Sequence, residues 1–181
     1  MNGGKVMPKK NRYFYDCEFL EDGKTIELIS IGIVCDDGRE FYAEQAHPFR
    51  TLMEIQKSQW LVENVVPSLK TIGISKVTGT LYQDIDGWFY PNEIRDQLLE
   101  FTKGTWPEFW AWYGAYDHVA LCQLFGRMVD LPKHFPMFTR DIRQLWEAKG
   151  RPKLPEQEVG KHNALEDARH NKVMYDFLEP F

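Results

Sequence analysis

Asp16 and Glu18 stand two residues apart in the segment RYFYDCEFL. An extended strand has a side-chain period of two, so both carboxylates leave on one face, with Cα atoms about 6.6 Å apart, while Cys17 points to the other. A strand on a wet sheet face can carry acids harmlessly. Here Phe14 and Leu20 share the face and are apolar, so two like charges would repel and desolvate unless a cation lay between them. Asp117 opens a helix-forming stretch, in line with Leu121, Leu124 and Met128, the stripe expected to face a sheet; an N-cap is the plainer use of such an Asp. Asn163 and Glu166 read as a capping box, which leaves His162 on the preceding loop with freedom to act. Asp167 then falls in the first helical turn, within about 60° of Asn171, Met174 and Leu178, so its carboxylate points inward. The helix dipole favours an acid in that turn, but it explains neither the inward aim nor a His five residues earlier.

The elements that must position these groups are legible in part. RYFYDCEFL, ELISIGIVCDDG and REFYAEQA read as three strands of a meander, with Asp22-Gly23 and Asp37-Gly38 as turns,. Residues 50–70 are helical in part and stopped by Pro67, and residues 71–91 read as loop. PNEIRDQLLEFTKG is a helix with Pro91 at its start and Gly104 past its end, and FWAWY is a short strand. YDHVALCQLFGRMVD, TRDIRQLWEAKG and NALEDARHNKVMYDFL are three more helices,. Residues 1–11 lack periodicity and read as a flexible tail, leaving 12–181 as one domain. A meander followed by helices around one later strand implies an α/β fold with a mixed sheet.

Composition narrows the field. The chain has 181 residues, 43% hydrophobic and 27% charged, an ordinary globular balance. Its net charge of -5 argues against a protein that coats polyanions, although two divalent cations held by gathered acids would bring it to about -1. Cys17, Cys35 and Cys122 form neither a CxxC pair nor an even disulfide set, so a reducing cytoplasm is the expected compartment. There is no secretory signal and no run of about eighteen apolar residues, so no membrane partner is expected. No Ser/His/Asp nucleophile pattern, P-loop or GxGxxG competes for the site.

Asp-x-Glu on a first strand, Asp at a mid-chain helix start and His-x4-Asp at the last helix occur here in the order of the DEDD 3′-to-5′ exonucleases, in the branch with His in the last motif, which this chain resembles. YFYDCEF, IELISIGIV, WAWYGAYDHVALCQLFG, FTRDIRQLW and HNALEDA are more similar still to the small mycobacterial-type 3′-5′ exoribonucleases, also called polyadenylate-specific 3′-exoribonuclease AS. The resemblance runs from about Arg12 to the C-terminus; residues 69–86 match nothing in it. It implies a ribonuclease H-like mixed sheet of about five strands flanked by helices, and two Mg²⁺ or Mn²⁺ ions about 3.5–4 Å apart. By the same resemblance Asp16, Glu18 and Asp167 hold the ion that activates water, Asp16 bridges to a second ion oriented by Asp117, and His162 takes the water's proton. Phe19 and Leu20 lie where members of that family contact the terminal base, and Tyr116, just before Asp117, is a further candidate for stacking on it. Trp60 and Trp112 are further stacking candidates, each also a natural core residue. Lys149, Arg151, Lys153 and Lys161 could guide a phosphate backbone or simply solvate a loop, and Asp141 braces the site at most. The expected substrate is the 3′ end of RNA, with release of 5′-mononucleotides. DNA as substrate and a catalytically inactive binding module are the alternatives, and a homodimer is implied by the resemblance alone.

Overall fold

The computed structural model describes residues 9–84 and 86–179. The expected meander is there: β1 (Lys9–Glu21), β2 (Ile26–Cys35) and β3 (Glu40–Gln45) pair in antiparallel succession. Gly23 (φ 80°) and Gly38 (φ 90°) take the left-handed turn positions, which a side chain would strain. The first strand begins earlier than its sequence pattern indicates. Lys9, Lys10 and Asn11 pair with Thr105, Trp106 and Pro107, and Asn11 is buried and donates to Asp37 Oδ2 at 3.0 Å. The rest of the expected tail, residues 1–8, lies outside the described residues.

After β3 come α1 (Phe49–Lys57), α2 (Gln59–Asn64) and a 3₁₀ turn, Val66–Ser68, with Pro67 inside it. Residues 71–91, expected as loop, instead contain a hairpin of β4 (Ile72–Ile74) and β5 (Leu81–Gln83), then β6 (Trp88–Phe89), which pairs parallel to β3. Strands of two or three residues are too short to establish a period, so the pattern could not show them. Next are α3 (Pro91–Phe101), β7 (Thr105–Ala111), α4 (Ala115–Gln123), β8 (Arg140–Asp141), α5 (Ile142–Ala148) and α6 (Ala164–Leu178). α4 is shorter than expected. The chain breaks at Gly126 (φ 109°) and forms a separate 3₁₀ turn at Met128–Asp130, which leaves Met128 exposed rather than on the inward stripe.

The main sheet has six strands in the order β6-β3-β2-β1-β7-β8. Only β2 runs against the others, so the C-terminal ends of β1, β3, β7 and β8 share one edge. This is the mixed, ribonuclease H-like arrangement, one strand larger than expected because of the two-residue edges. On one face Tyr13, Tyr15, Cys17, Ile31 and Ile33 pack with Ile94 and Leu98 of α3 and Leu121 of α4. On the other, Phe14 and Trp110 pack with Ile142 of α5 and Met174, Tyr175 and Leu178 of α6. Ile29, Leu52, Ile55, Leu61, Ile72 and Leu81 close a third cluster beneath α1, α2 and the hairpin.

Candidate active site

β1 keeps its alternation through the acidic segment because an irregularity falls on its neighbour. Glu18 faces Ser30 and Phe19 faces Leu28, so Ile29 is the extra residue, on β2,. Asp16, Glu18 and Leu20 therefore stay on the α6 side of the strand. Asp16 is paired with Gly32, and this glycine sets how near α6 can come. A Cβ at position 32 would lie 2.3 Å from backbone atoms of Ala164 and Leu165, so the first turn of α6 rests on bare β2 backbone. One turn further along α6, Asn171 Nδ2 donates to Tyr15 O at 2.9 Å. These contacts bring Asp167 over the strand acids.

Asp117 arrives from the opposite direction. Pairing of β1 with β7 ends at Phe14 and Trp110, and beyond it Cys17 N donates to Asp117 Oδ1 at 2.7 Å. Gly114, not Asp117, is the N-cap of α4. The carboxylate thus ties α4 to the strand, while its own backbone N–H also bonds to it.

His162 sits in a left-handed turn (φ 62°) just before α6. It is not the free loop residue the sequence suggests. Its N–H donates to Asp167 Oδ2 at 2.9 Å, its carbonyl accepts from Ser68 Oγ at 2.6 Å, and its ring meets that of Trp60 edge-on, centroids 4.9 Å apart. Asn163 caps α6 as expected, accepting from Leu165 N and Glu166 N at 3.2 Å each. The reciprocal half of the expected box is missing, because the Glu166 carboxylate is bound to Arg169 instead. The other oxygen of Asp167 accepts from Gln157 Nε2 at 2.6 Å.

Ligating atoms of Glu18, His162 and Asp167 lie within 4.8 Å of one another. Asp16 joins Asp167 and His162 in lining a cleft of about 490 Å³, with Trp112, Gln157, Lys161 and His170 around it. Burial, then the charges of Asp117, Glu18 and Asp167, push the Asp16 carboxyl well above the usual range. Burial, followed by Asp167 and Asp117, raises Glu18 to about 8. Asp117 is raised to about 7, chiefly by burial and against the Cys17 hydrogen bond. Asp167 is raised by burial, partly offset by Gln157 and the His162 N–H. No Lys or Arg forms an ion pair with any of the four among the described residues. Four crowded carboxyls without a cationic partner are a donor set for a hard divalent cation, which would relieve both the burial and the repulsion.

The aromatic candidates divide. Phe19 and Tyr116 meet edge-on, centroids 6.0 Å apart, with Tyr116 51% exposed. Leu20 is on the face of β1 opposite Phe19, the face of Asp16 and Glu18, packed against the cluster around Ile29. Trp60 is exposed beside His162, and Trp112 lines the cleft under the Arg143 guanidinium. Of the basic candidates, Arg151 pairs with Glu147 and Lys153 with Glu156, while Lys161 lines the cleft. Asp141 caps α5 and accepts from Tyr113 N. His118 lies half-buried beside Cys122, apart from the cleft. A larger hollow of about 980 Å³ between α1 and the hairpin, lined by Phe49, Tyr82, Trp88 and Tyr90, contains none of the four acids. Gly32, Gln157, Asn171 and Ser68 were not found from sequence: they work through backbone contact or a single hydrogen bond and belong to no motif.

A family profile described as the 3′-5′ exoribonuclease Rv2179c-like domain matches residues 11–178. Among curated proteins, the 3′-5′ exoribonuclease Rv2179c of Mycobacterium tuberculosis (strain ATCC 25618 / H37Rv) is 47% identical over 163 residues, covering 87% of each chain. The 3′-5′ exoribonuclease MT2234.1 of Mycobacterium tuberculosis (strain CDC 1551 / Oshkosh) matches to the same extent.

Proposed function

The chain belongs to the Rv2179c-like 3′-5′ exoribonuclease family and is a 3′-to-5′ exoribonuclease, and from that premise we propose that Asp16, Glu18, Asp117 and Asp167 hold two divalent cations while His162 accepts the proton of the attacking water. The observation that carries this reading is the gathering of four mutually interacting carboxyls without a cationic partner, two of which, Glu18 and Asp167, stand within 4.8 Å of the His162 imidazole. Asp16, Glu18 and Asp167 would hold one ion, with Asp16 reaching a second beside Asp117. Mg²⁺ or Mn²⁺ suits an all-oxygen donor set. Bound there, such ions supply an acidified water, charge neutralisation on the phosphoryl oxygens and stabilisation of the leaving 3′-oxygen.

The chain's own groups do the rest. Gln157 and the His162 N–H each take one oxygen of Asp167, fixing the plane in which that carboxylate presents its remaining lone pairs. His162, held at both backbone ends, offers its imidazole toward Glu18 and Asp167 without needing to be a ligand itself. Phe19 and Tyr116 form an edge-on pair beside Glu18 and Asp117, suited to stacking on the terminal base; Leu20 would flank it. The proposed unit is a single domain. It is proposed to act on RNA 3′ ends in the cytoplasm as a homodimer; the cysteines are free and buried, in keeping with a reducing compartment, and no described helix is long and apolar enough to cross a membrane.

End-labelled linear RNA, circular RNA and DNA of one sequence, each incubated with Mg²⁺ and with Mn²⁺, test the reading. Stepwise release of 5′-mononucleotides from linear RNA, with the circle untouched and DNA slower, is expected. Cutting of the circle at the linear rate would make the protein an endonuclease, and equal rates on DNA would remove the sugar preference.

A further inference from the structure

The proton acceptor is separated in sequence from what holds it. The single hydroxyl proton of Ser68 faces two carbonyls, His162 O at 2.6 Å, across 94 residues, and Val65 O of its own turn at 2.8 Å, and Ser68 O accepts from Asn163 Nδ2 at 3.2 Å. One residue thus grips both members of the His162–Asn163 pair, one by its hydroxyl and the other by its carbonyl. The grip is needed because His162 is a side-chain-bearing residue at φ 62°, a conformation disfavoured relative to the right-handed one that persists only where the surroundings enforce it.

Ser68 is itself seated by a buried acid that the chemistry does not use. Glu44 on β3 is 1% exposed. Its carboxylate accepts from Lys70 N at 2.7 Å, Thr71 N at 2.8 Å, Thr71 Oγ1 at 2.6 Å and Tyr42 Oη at 2.6 Å. Two successive backbone N–H groups just beyond Ser68 are thereby fixed to the central sheet, and Val65 and Val66 just before it are buried in the third cluster. The 3₁₀ turn carrying Ser68 is pinned on both sides.

We propose that Ser68 is a positioning residue for His162, its hydroxyl holding the left-handed turn from which the imidazole faces Glu18 and Asp167. The proposal rests on the reading of His162 as the proton acceptor. Removing the hydroxyl lets the turn relax toward ordinary backbone angles and the ring drift from the attacking water. Trp60 also touches the ring, but it is 52% exposed and open to substrate, so its replacement would mix two effects; the Ser68 hydroxyl meets only backbone carbonyls.

The test uses Ser68→Ala, Ser68→Thr, His162→Ala and the double variant Ser68→Ala/His162→Ala, all as full chains with circular dichroism as the check on folding. In metal-free protein, the ¹H–¹³C signal of the His162 ring, assigned by its loss in His162→Ala, is expected to shift in Ser68→Ala and to return in Ser68→Thr. The single-turnover rate of Ser68→Ala is expected to fall about tenfold, less than for loss of the base itself, with KM for RNA and Mn²⁺ affinity by calorimetry within about twofold of wild type. In the His162→Ala background the same change is expected to add nothing, since its effect passes through the ring. An unmoved ring signal overturns the tie, and a further tenfold loss in the double variant shows that Ser68 acts elsewhere. A wild-type rate in His162→Ala overturns the reading of His162 instead, a result the ring signal does not depend on.

Discussion

At the scale of single residues, crowding of like charges separates function from stability. Asp16 stands among buried carboxyls, Asp117, Glu18 and Asp167, whose charges disfavour its own ionised form, while Asp167 is raised by burial. Replacement by Asn removes a charge at nearly equal shape, so Asp16→Asn is expected to abolish nucleotide release and yet to leave the metal-free protein as stable as wild type or more so, whereas Asp167→Asn is expected to abolish release and also to lose stability, because its NH2 would meet the Gln157 amide or the His162 N–H,. Calorimetry in chelator, paired with a release assay, checks both halves. A metal-free Asp16→Asn protein several kcal/mol less stable, or one turning over near the wild-type rate, would make that acid structural. The acids were legible in the sequence because their types clash with their apolar neighbours: Asp16 and Glu18 share a strand face with Phe14, and Asp167 lies on the inward stripe of α6. Gln157 was not legible. An amide in the run RPKLPEQEVGK has no periodicity to betray it, and only the path of the loop, tied at Pro152 O by Trp146 Nε1, carries it to Asp167.

Among elements, the contact of α6 with β2 decides whether the site exists. Gly32 has no side chain, and the helix backbone occupies the space one would need. Because the obstructing atoms are backbone, not a flexible side chain, Gly32→Ala is expected to lift the start of α6 off the sheet, destabilising the protein by about 1–3 kcal/mol as overpacking does. It should also cost more activity than stability, since Asp167 moves with the helix. Urea denaturation read beside the release rate tests this; an unchanged midpoint would mean that α6 can slide at no cost. The meander and α6 were readable because each is long enough to repeat its pattern. The β4–β5 hairpin, β6 and β8 are two or three residues each and owe their state to neighbours. The early end of α4 follows from Gly126 (φ 109°), which lies inside the run YDHVALCQLFGRMVD expected as one helix. The capping box failed for a related reason: Glu166 had a better partner in Arg169, three residues on, than in the backbone behind it.

For the molecule as a whole, the same acids set how stability responds to pH. Glu18 moves from 4.5 to about 8 on folding and Asp117 from 3.8 to about 7, so between those limits the folded chain holds protons that the unfolded chain releases. Raising the pH then favours unfolding, and the metal-free Tm is expected to fall from pH 5 to pH 8. His170 and His118, lowered by burial, act in the opposite sense, which makes the difference between wild type and Glu18→Gln the clean measure. That difference should shrink as the pH drops toward 4.5, and added Mg²⁺ or Mn²⁺ should restore the wild-type Tm at pH 8. A wild-type profile that rose in parallel with Glu18→Gln would show that Glu18 is ionised without a cation.

Asp16 and Glu18 come from the strand that opens the described chain, Asp117 from α4 midway, His162 from the turn before the last helix and Asp167 from that helix, with the supporting Ser68 between. During synthesis on a ribosome the first strand is made early, but the hydrolytic centre cannot close until α6 has emerged and settled on Gly32. With the residue roles proposed above, a partly made chain is expected to be harmless to RNA, including the message being read to make it.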